Sequence, residues 1–292
     1  MPGREGTAMS DAGRYVAMQK DFYDQGPYSE EEIVGNYGYH ENFPYETNLL
    51  HLHGDIRKPV LKDPSTAIAF DIGCGEGRMM RRMSRFLERV DGADISERMA
   101  AAARARSPAA SKIYVTAGAD CGDAPSDTYD LVYNTISLHH ICVYDVRAGI
   151  IQDITRILKP GGCATLQFFF SKYYPYCRTA PVIQGGNSLY DLHHRDALQA
   201  DWFENRWDAQ GANSMCDAAF GTNHIPAVVE DFRKWFGTVD VWFHDVSIGR
   251  PDPRGDGTPR ILPETHPNAH GMDSAWFTHM AFFHLRNPIK PG

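Results

Sequence analysis

The stretch that most constrains this chain is AFDIGCGEGR, residues 69–78, where an apolar run ends in an acid and then breaks into three closely spaced glycines. Glycine after a buried strand lets the backbone turn sharply and leaves N–H groups open to a close neighbour. A strand turning in this way into a helix is a unit of an α/β sheet, and the charges around the turn limit what can approach it. Gly73, Gly75 and Gly77 read G-x-G-x-G, whereas a dinucleotide turn needs G-x-G-x-x-G and an uncluttered helix N-terminus to hold a pyrophosphate. Asp71 and Glu76 flank this turn. Two carboxylates would repel a phosphate; they suit a phosphate-free ligand carrying an ammonium group.

From residue 66 short apolar runs alternate with helix-period segments, the pattern of βαβ units. TAIAFDI reads as a first strand, and RMMRRMSRFLERV as a helix whose core stripe is Met79, Met83, Phe86, Leu87 and Val90. Its opposite face, Arg78, Arg81, Arg82, Arg85 and Arg89, reads as solvated rather than as an RNA-binding ridge, because no aromatics are interleaved. VDGADIS is a second strand with Ser96 capping the helix ERMAAAARAR, KIYVTAG a third, and YDLVYNTIS a fourth. The helix VRAGIIQDITRIL stops at KPGG before a fifth strand, CATLQFFF. The helix IPAVVEDFRKWFG and two last strands, VDVWFHDVSI and AWFTHMAFFHL, complete the count. The expected fold is a Rossmann-like, doubly wound seven-stranded α/β sheet, mostly parallel, whose last two strands pair antiparallel at its edge.

Two segments stand outside this alternation. Residues 1–65 read as an N-terminal helical cap on a main domain spanning 66–292. Residues 172–223 interrupt the domain just after the fifth strand's carboxyl end, the edge where open α/β sheets bind ligands, and so read as a lid or acceptor-binding insertion. Residues 249–271, rich in Pro and Gly, read as a long loop.

Charge and composition narrow the function. The 29 Lys and Arg stand against 37 Asp and Glu, a formal charge of −8, which disfavours a polyanionic partner. No stretch reaches the roughly 18 consecutive apolar residues of a membrane span, and no signal-peptide core opens the chain. Six dispersed cysteines form neither a zinc knuckle nor a disulfide framework, so a reducing cytoplasm is expected.

The motifs together resemble the class I S-adenosylmethionine-dependent methyltransferases. DIGCGEG at 71–77 resembles the family's first motif, placing Asp71, Gly73, Cys74 and Gly75 at the cofactor. Asp94, about twenty residues on, stands where the family's acid takes both ribose hydroxyls, with Ile95 after it against the adenine. AGAD puts Asp120 where the family meets the adenine amino group and Ala119 where it offers a backbone contact. DTYDLVYNTISLHHI resembles the fourth-strand motif, with Asn134 near the methionine part, and ITRILKPGG the approach to the fifth strand. The likeness covers residues 66–171 and fades beyond them. Related enzymes often place an N-terminal aromatic over the cofactor, which here is Tyr23. The resemblance implies S-adenosyl-L-methionine as cofactor.

Cys74 reads as a small filler in the turn, because Asp71 and Glu76 oppose a thiolate. Methyl transfer from a sulfonium asks chiefly for an in-line approach at about 3–3.5 Å, with a base only where the acceptor must lose a proton. The fourth-strand motif reads NTIS rather than the Asn/Asp-Pro-Pro-Tyr/Phe of exocyclic-amine DNA methyltransferases, and no Pro-Cys dipeptide is present, so nucleic-acid bases are disfavoured. The expected acceptor is a small molecule, methylated at a hydroxyl of a sugar or natural-product scaffold. Candidate bases are His139 and His140 after the fourth strand, and His193 and His194 in the insertion. The group Asp191, His193, His194 and Asp196 fits no metal signature, so no metal is assigned. Tyr37, Tyr39, Phe43, Tyr45, Tyr173, Tyr174, Tyr176, Trp202, Phe203 and Trp207 are core or walls of an acceptor pocket. A second reading is a non-catalytic cofactor-binding module; aminopropyl transfer is disfavoured because NTISLHHI supplies no acid for a polyamine.

Overall fold

Short apolar strands separated by helices can bury both sheet faces only by crossing over alternately, and the chain does so. A computed structural model describes residues 11–26, 45–52, 58–138, 141, 143–171, 220–221, 225–245, 250–251 and 279–290. Seven strands form the sheet: β1 (Ile68–Ile72), β2 (Arg89–Asp94), β3 (Ile113–Val115), β4 (Tyr129–Asn134), β5 (Leu158–Ser171), β6 (Phe236–Asp245) and β7 (His279–Pro288). Their order is β3-β2-β1-β4-β5-β7-β6. The first five run parallel, and β7 is antiparallel to both β5 and β6. The expected antiparallel pair is present at the edge, with β7 one place in from it. The two-residue segments Phe220–Gly221 and Arg250–Pro251 pair with β5 and β6.

The helices are α1 (Asp11–Asp24), α2 (Tyr45–Leu50), α3 (Arg78–Met83), α4 (Glu97–Arg106), α5 (Tyr144–Ile157) and α6 (Ile225–Phe232). Alternation along β1 divides the core in two: Phe70 and Ile72 pack with Ile150, Ile154 and Phe232 on one face, while Ala69 packs with Leu49, Met79 and Trp242 on the other. Ser96 caps α4 as expected, accepting the Met99 N–H at 3.2 Å.

Several boundaries differ from the sequence pattern. The helix after the glycines ends at Met83, so Phe86 is 48 % exposed while Met80, outside the expected stripe, is fully buried. The arginine face is less solvated than its pattern implies: Arg82 pairs with Glu46 at 2.5 Å, Arg89 with Asp91 at 3.1 Å, and Arg81 donates to the Glu76 carbonyl at 2.9 Å. KPGG stops α5 but lies within β5, where Gly161 takes φ +81° and the register with β4 shifts. These glycines therefore absorb an irregularity in the strand instead of preceding it.

Polar groups seat α2 on its sheet face. Trp242 donates through Nε1 to His284 Nε2 at 2.7 Å, and an indole can only donate. His284 therefore carries its proton on Nδ1, which donates to Thr165 Oγ1 at 2.9 Å, and that hydroxyl reaches the Leu49 carbonyl of α2 at 3.3 Å. All three side chains are almost fully buried.

A Cβ at Gly92 of β2 would lie 2.9 Å from both Cys74 Cβ and Met80 Sδ, and 3.3 Å from the Asp71 carbonyl. Gly92→Ala should therefore destabilise the protein by about 1–3 kcal/mol through overpacking. The check is a lower urea midpoint with an unchanged slope.

Candidate functional site

The carboxyl ends of β1, β2 and β4 bring Asp71, Asp94 and Asn134 to one edge, because parallel pairing sets Asp71 opposite Gly92 and Tyr133, and Ile72 opposite Ala93 and Asn134. The turn after β1 lies on that edge. All three of its glycines have positive φ, +66° at Gly73, +54° at Gly75 and +82° at Gly77, yet each side-chain vector meets something different. A Cβ at Gly73 would sit 2.4 Å from Ser137 Cβ, and one at Gly77 would sit 2.5 Å from Ser107 Oγ. Only at Gly75 does it meet nothing within 4 Å. Gly73 and Gly77 thus serve packing, and Gly75 alone opens the backbone to a ligand.

Asp94 closes the turn. Its Oδ2 accepts the Gly75 N–H at 2.8 Å and its Oδ1 the Ser96 N–H at 2.9 Å, leaving one acceptor position on each oxygen. Burial raises its pKa, against these backbone hydrogen bonds. Each remaining position suits one hydroxyl of a vicinal diol. Cys74 is buried beside it, and burial, with Asp94 and Asp71 adding, holds the thiol well above its ordinary range, so it stays protonated as the filler reading expects.

Asp71 is 2 % exposed, and burial pushes its pKa well above the ordinary carboxylate range; Arg78 and Tyr133 oppose that rise and Asp94 adds to it. Glu76 turns away from the ligand side and pairs with Arg106 and, at 3.8 Å, with Arg98. The second acid of the motif is thus paired with arginines of α4, which leaves Asp71 and Asp94 as the motif carboxyls at the strand ends.

The Asn134 side chain is held by the fold at both ends of its amide: Nδ2 donates to Ser137 Oγ at 2.6 Å and Oδ1 accepts the Gln167 N–H at 3.0 Å. Ser137 in turn donates to the Ile72 carbonyl at 2.8 Å, and the Ile136 N–H reaches Gln167 Oε1 at 2.6 Å. Ile136 holds φ +59°, an unfavourable region for a β-branched residue, so this brace maintains local strain at the sheet's carboxyl edge. Asn134 therefore braces the edge with its side chain.

On the other side of Asp94, α1 clasps the end of β2. Ser96 Oγ donates to Asp24 at 2.6 Å, Lys20 Nζ reaches the Ile95 carbonyl at 3.3 Å, and Arg98 Nε donates to the Tyr23 carbonyl at 3.2 Å. A Cβ on Gly118 would strike Val16 at 2.5 Å and approach Ile95 Cδ1 at 3.3 Å, so Val16, Ile95 and Gly118 converge. Asp120 Oδ1 accepts the Gly122 N–H at 2.8 Å, and the Ala119 carbonyl abuts Gly149 of α5, where a Cβ would sit 2.8 Å away. Gly92, Gly118 and Ser137 carry this geometry from inside the quoted motifs without having been singled out there, and Gln167 and the Lys20–Asp24 pair carry it from outside them.

His139, His140, His193 and His194 lie outside the described residues, as do Tyr37, Tyr39, Phe43 and the aromatics of the insertion. Among the described residues no group of His, Cys, Asp and Glu could hold a metal, and no helix is long and apolar enough to cross a membrane.

Residues 70–166 match a family model described as a methyltransferase domain. Among solved structures, this chain resembles the Burkholderia thailandensis 1,6-didemethyltoxoflavin-N1-methyltransferase, solved with 1,6-didemethyltoxoflavin and S-adenosylhomocysteine. The TM-score is 0.54 and the identity 16%, with 97% of this chain and 92% of that chain covered. It also matches an S-adenosylmethionine-dependent methyltransferase from Mesorhizobium loti with TM-score 0.46 and 19% identity, over 78% of this chain and 94% of that one. A methyltransferase from Methanosarcina mazei gives 0.45 and 16%, over 77% and 94%. No curated protein matches the chain.

Because burial raises the Asp71 pKa, the ligand-free fold binds this proton more tightly than the unfolded chain does, and the stability tied to it is lost as pH rises from the ordinary carboxylate range through the folded value. Asp71→Asn should therefore raise the ligand-free Tm by about 2 °C or more at neutral pH. The gain should shrink toward pH 4, which thermal melts across pH would reveal.

Proposed function

We propose that this chain, whose residues 70–166 match a methyltransferase domain, is a class I S-adenosylmethionine-dependent methyltransferase that methylates a small molecule at a hydroxyl oxygen of a sugar or natural-product scaffold. The observation that carries the reading is the edge built from Gly75, Asp94 and Asp71. It joins an open backbone, two acceptor positions set for a diol, and a carboxyl for an ammonium. S-adenosyl-L-methionine fits this donor set, and when bound it supplies a methyl group on a cationic sulfur.

The chain's own task is placement. Asp94 holds the ribose, and the Val16, Ile95 and Gly118 contact shapes an apolar wall beside it. Tyr23, Ala119 and Asp120 stand on the same side, with Asp120 keeping one oxygen available for the adenine amino group. Asn134 and Gln167 fix the backbone after β4 over which the acceptor lies. Insertion 172–223, which follows β5 in the sequence, is proposed to supply the acceptor-binding side chains. A hydroxyl acceptor must lose its proton, and His139, His140, His193 and His194 are the groups proposed to take it.

The small-molecule class is supported by the Burkholderia enzyme, whose fold holds a small heterocycle together with S-adenosylhomocysteine. It is also supported by the NTIS sequence after β4 and by the formal charge of −8, neither of which suits nucleic acid.

Asp94→Ala should weaken S-adenosylmethionine binding about 10- to 100-fold, since it removes a charged acceptor for two hydroxyls. Calorimetric titration measures this, and unchanged affinity would refute the ribose assignment. Screening a panel of sugar and natural-product hydroxyls for methyl transfer tests the acceptor class. Binding without any transfer would favour a non-catalytic module. For whichever acceptor turns over, alanine at the true base should lower kcat by about 100-fold or more, with cofactor affinity unchanged.

A further inference from the structure

The turn after β4 combines two unfavourable features at one point. Ile136 holds φ +59°, a region that a β-branched residue enters only under strain and that Gly or Asn would occupy with less. Its N–H donates at 2.6 Å to Oε1 of Gln167 on β5. Gln167 is fully buried, and its Nε2 has no hydrogen-bond partner among the described residues. Its backbone N–H is fixed in turn, donating to Asn134 Oδ1 at 3.0 Å. A strained backbone and an unsatisfied buried donor each destabilise a fold, so this residue pair is not one that packing alone would select.

The pair sets the direction of the next residue. Ser137 accepts from Asn134 Nδ2 at 2.6 Å and donates to the Ile72 carbonyl at 2.8 Å. Its side chain fills the space that a Cβ on Gly73 would need, with Ser137 Cβ 2.4 Å from that position. Ile72 and Gly73 open the turn that runs to Gly75, whose N–H meets Asp94 at 2.8 Å. Ile136 has two backbone arrangements open to it, the left-handed one of this structure and the extended one its side chain prefers, and a change to the second turns Ser137 away from Gly73. We propose that Gln167 is a positioning residue for the cofactor: its side-chain carbonyl holds Ile136 left-handed, which keeps Ser137 against Gly73 and the glycine turn in its binding shape. Being fully buried, it acts through Ile136 and Ser137 rather than on the ligand. The assignment rests on the cofactor reading above and puts control of the turn after β1 on a strand two places away in the sheet.

Calorimetric titration of the full chain with S-adenosylhomocysteine, run beside thermal melts, tests this role. Gln167→Met keeps the length of the side chain while removing both the acceptor for the Ile136 N–H and the unpartnered donor. It should weaken S-adenosylhomocysteine about 10-fold, because the binding shape of the turn is then populated only about a tenth of the time. Gln167→Leu makes the same change and serves as a second variant if the methionine variant fails to fold. Adding Ile136→Asn, which tolerates the left-handed region without the hold of Gln167, should restore the affinity to within about threefold of the unaltered protein. That recovery separates positioning from a merely structural role, in which Tm falls and the folded protein binds as before. Unchanged affinity in the Gln167 variant, or a loss that Ile136→Asn does not restore, would overturn the positioning role while leaving the cofactor reading intact. Failure of the unaltered protein to bind S-adenosylhomocysteine would overturn both.

Discussion

The hydrogen bond from the Gly75 N–H to the Asp94 carboxylate is the contact on which the site depends. It ties the turn after β1 to the end of β2, so two parallel strands share one rigid edge. A buried carboxylate without such donors would ionise only at great cost, and a glycine turn without such an acceptor would be free to adopt other shapes. Hydrogen bonds to a charged group contribute about 1.5–3 kcal/mol each, enough to fix the turn's conformation before any ligand arrives. Preorganisation of this kind is what a displacement reaction requires, since its rate depends on holding two reacting atoms in line.

A second brace fixes the neighbouring edge. Asn134, Ser137 and Gln167 form a set of hydrogen bonds joining β4, β5 and the carbonyl of Ile72, with Ile136 held in a strained conformation at its centre. Gly73 has room for Ser137 only because it lacks a Cβ. The turn after β1 and the turn after β4 are therefore packed into each other, and a change in one is transmitted to the other. The buried Thr165, His284 and Trp242 chain continues the polar band across the same sheet and seats α2 beside the site.

Most of the sheet was legible in the sequence because alternating apolar runs and helix-period segments must cover both sheet faces. Asp71, Gly75 and Asp94 were legible because their spacing follows from strand and helix length. Helix and strand ends were less so: α3 stops at Met83 although the apolar stripe continues, because the chain must turn back into β2. Glu76 looked like a ligand-facing acid, and Arg78 and Arg82 looked solvated, because sequence spacing does not say which helix packs opposite. In the fold, α4 supplies the arginines that neutralise Glu76, and α2 supplies Glu46 and Tyr45 to Arg82 and Arg78.

By itself the sequence determined the alternation of strands and helices of a doubly wound sheet, the position of an open glycine turn and the acids beside it. Hydrophobic period and glycine spacing are local properties that survive without coordinates. Only the tertiary structure decided which glycine faces a ligand, which acid is already neutralised, and that Asn134 braces the edge. Each of these depends on a contact between residues distant in the chain, and a side chain's role is set by what the fold places against it.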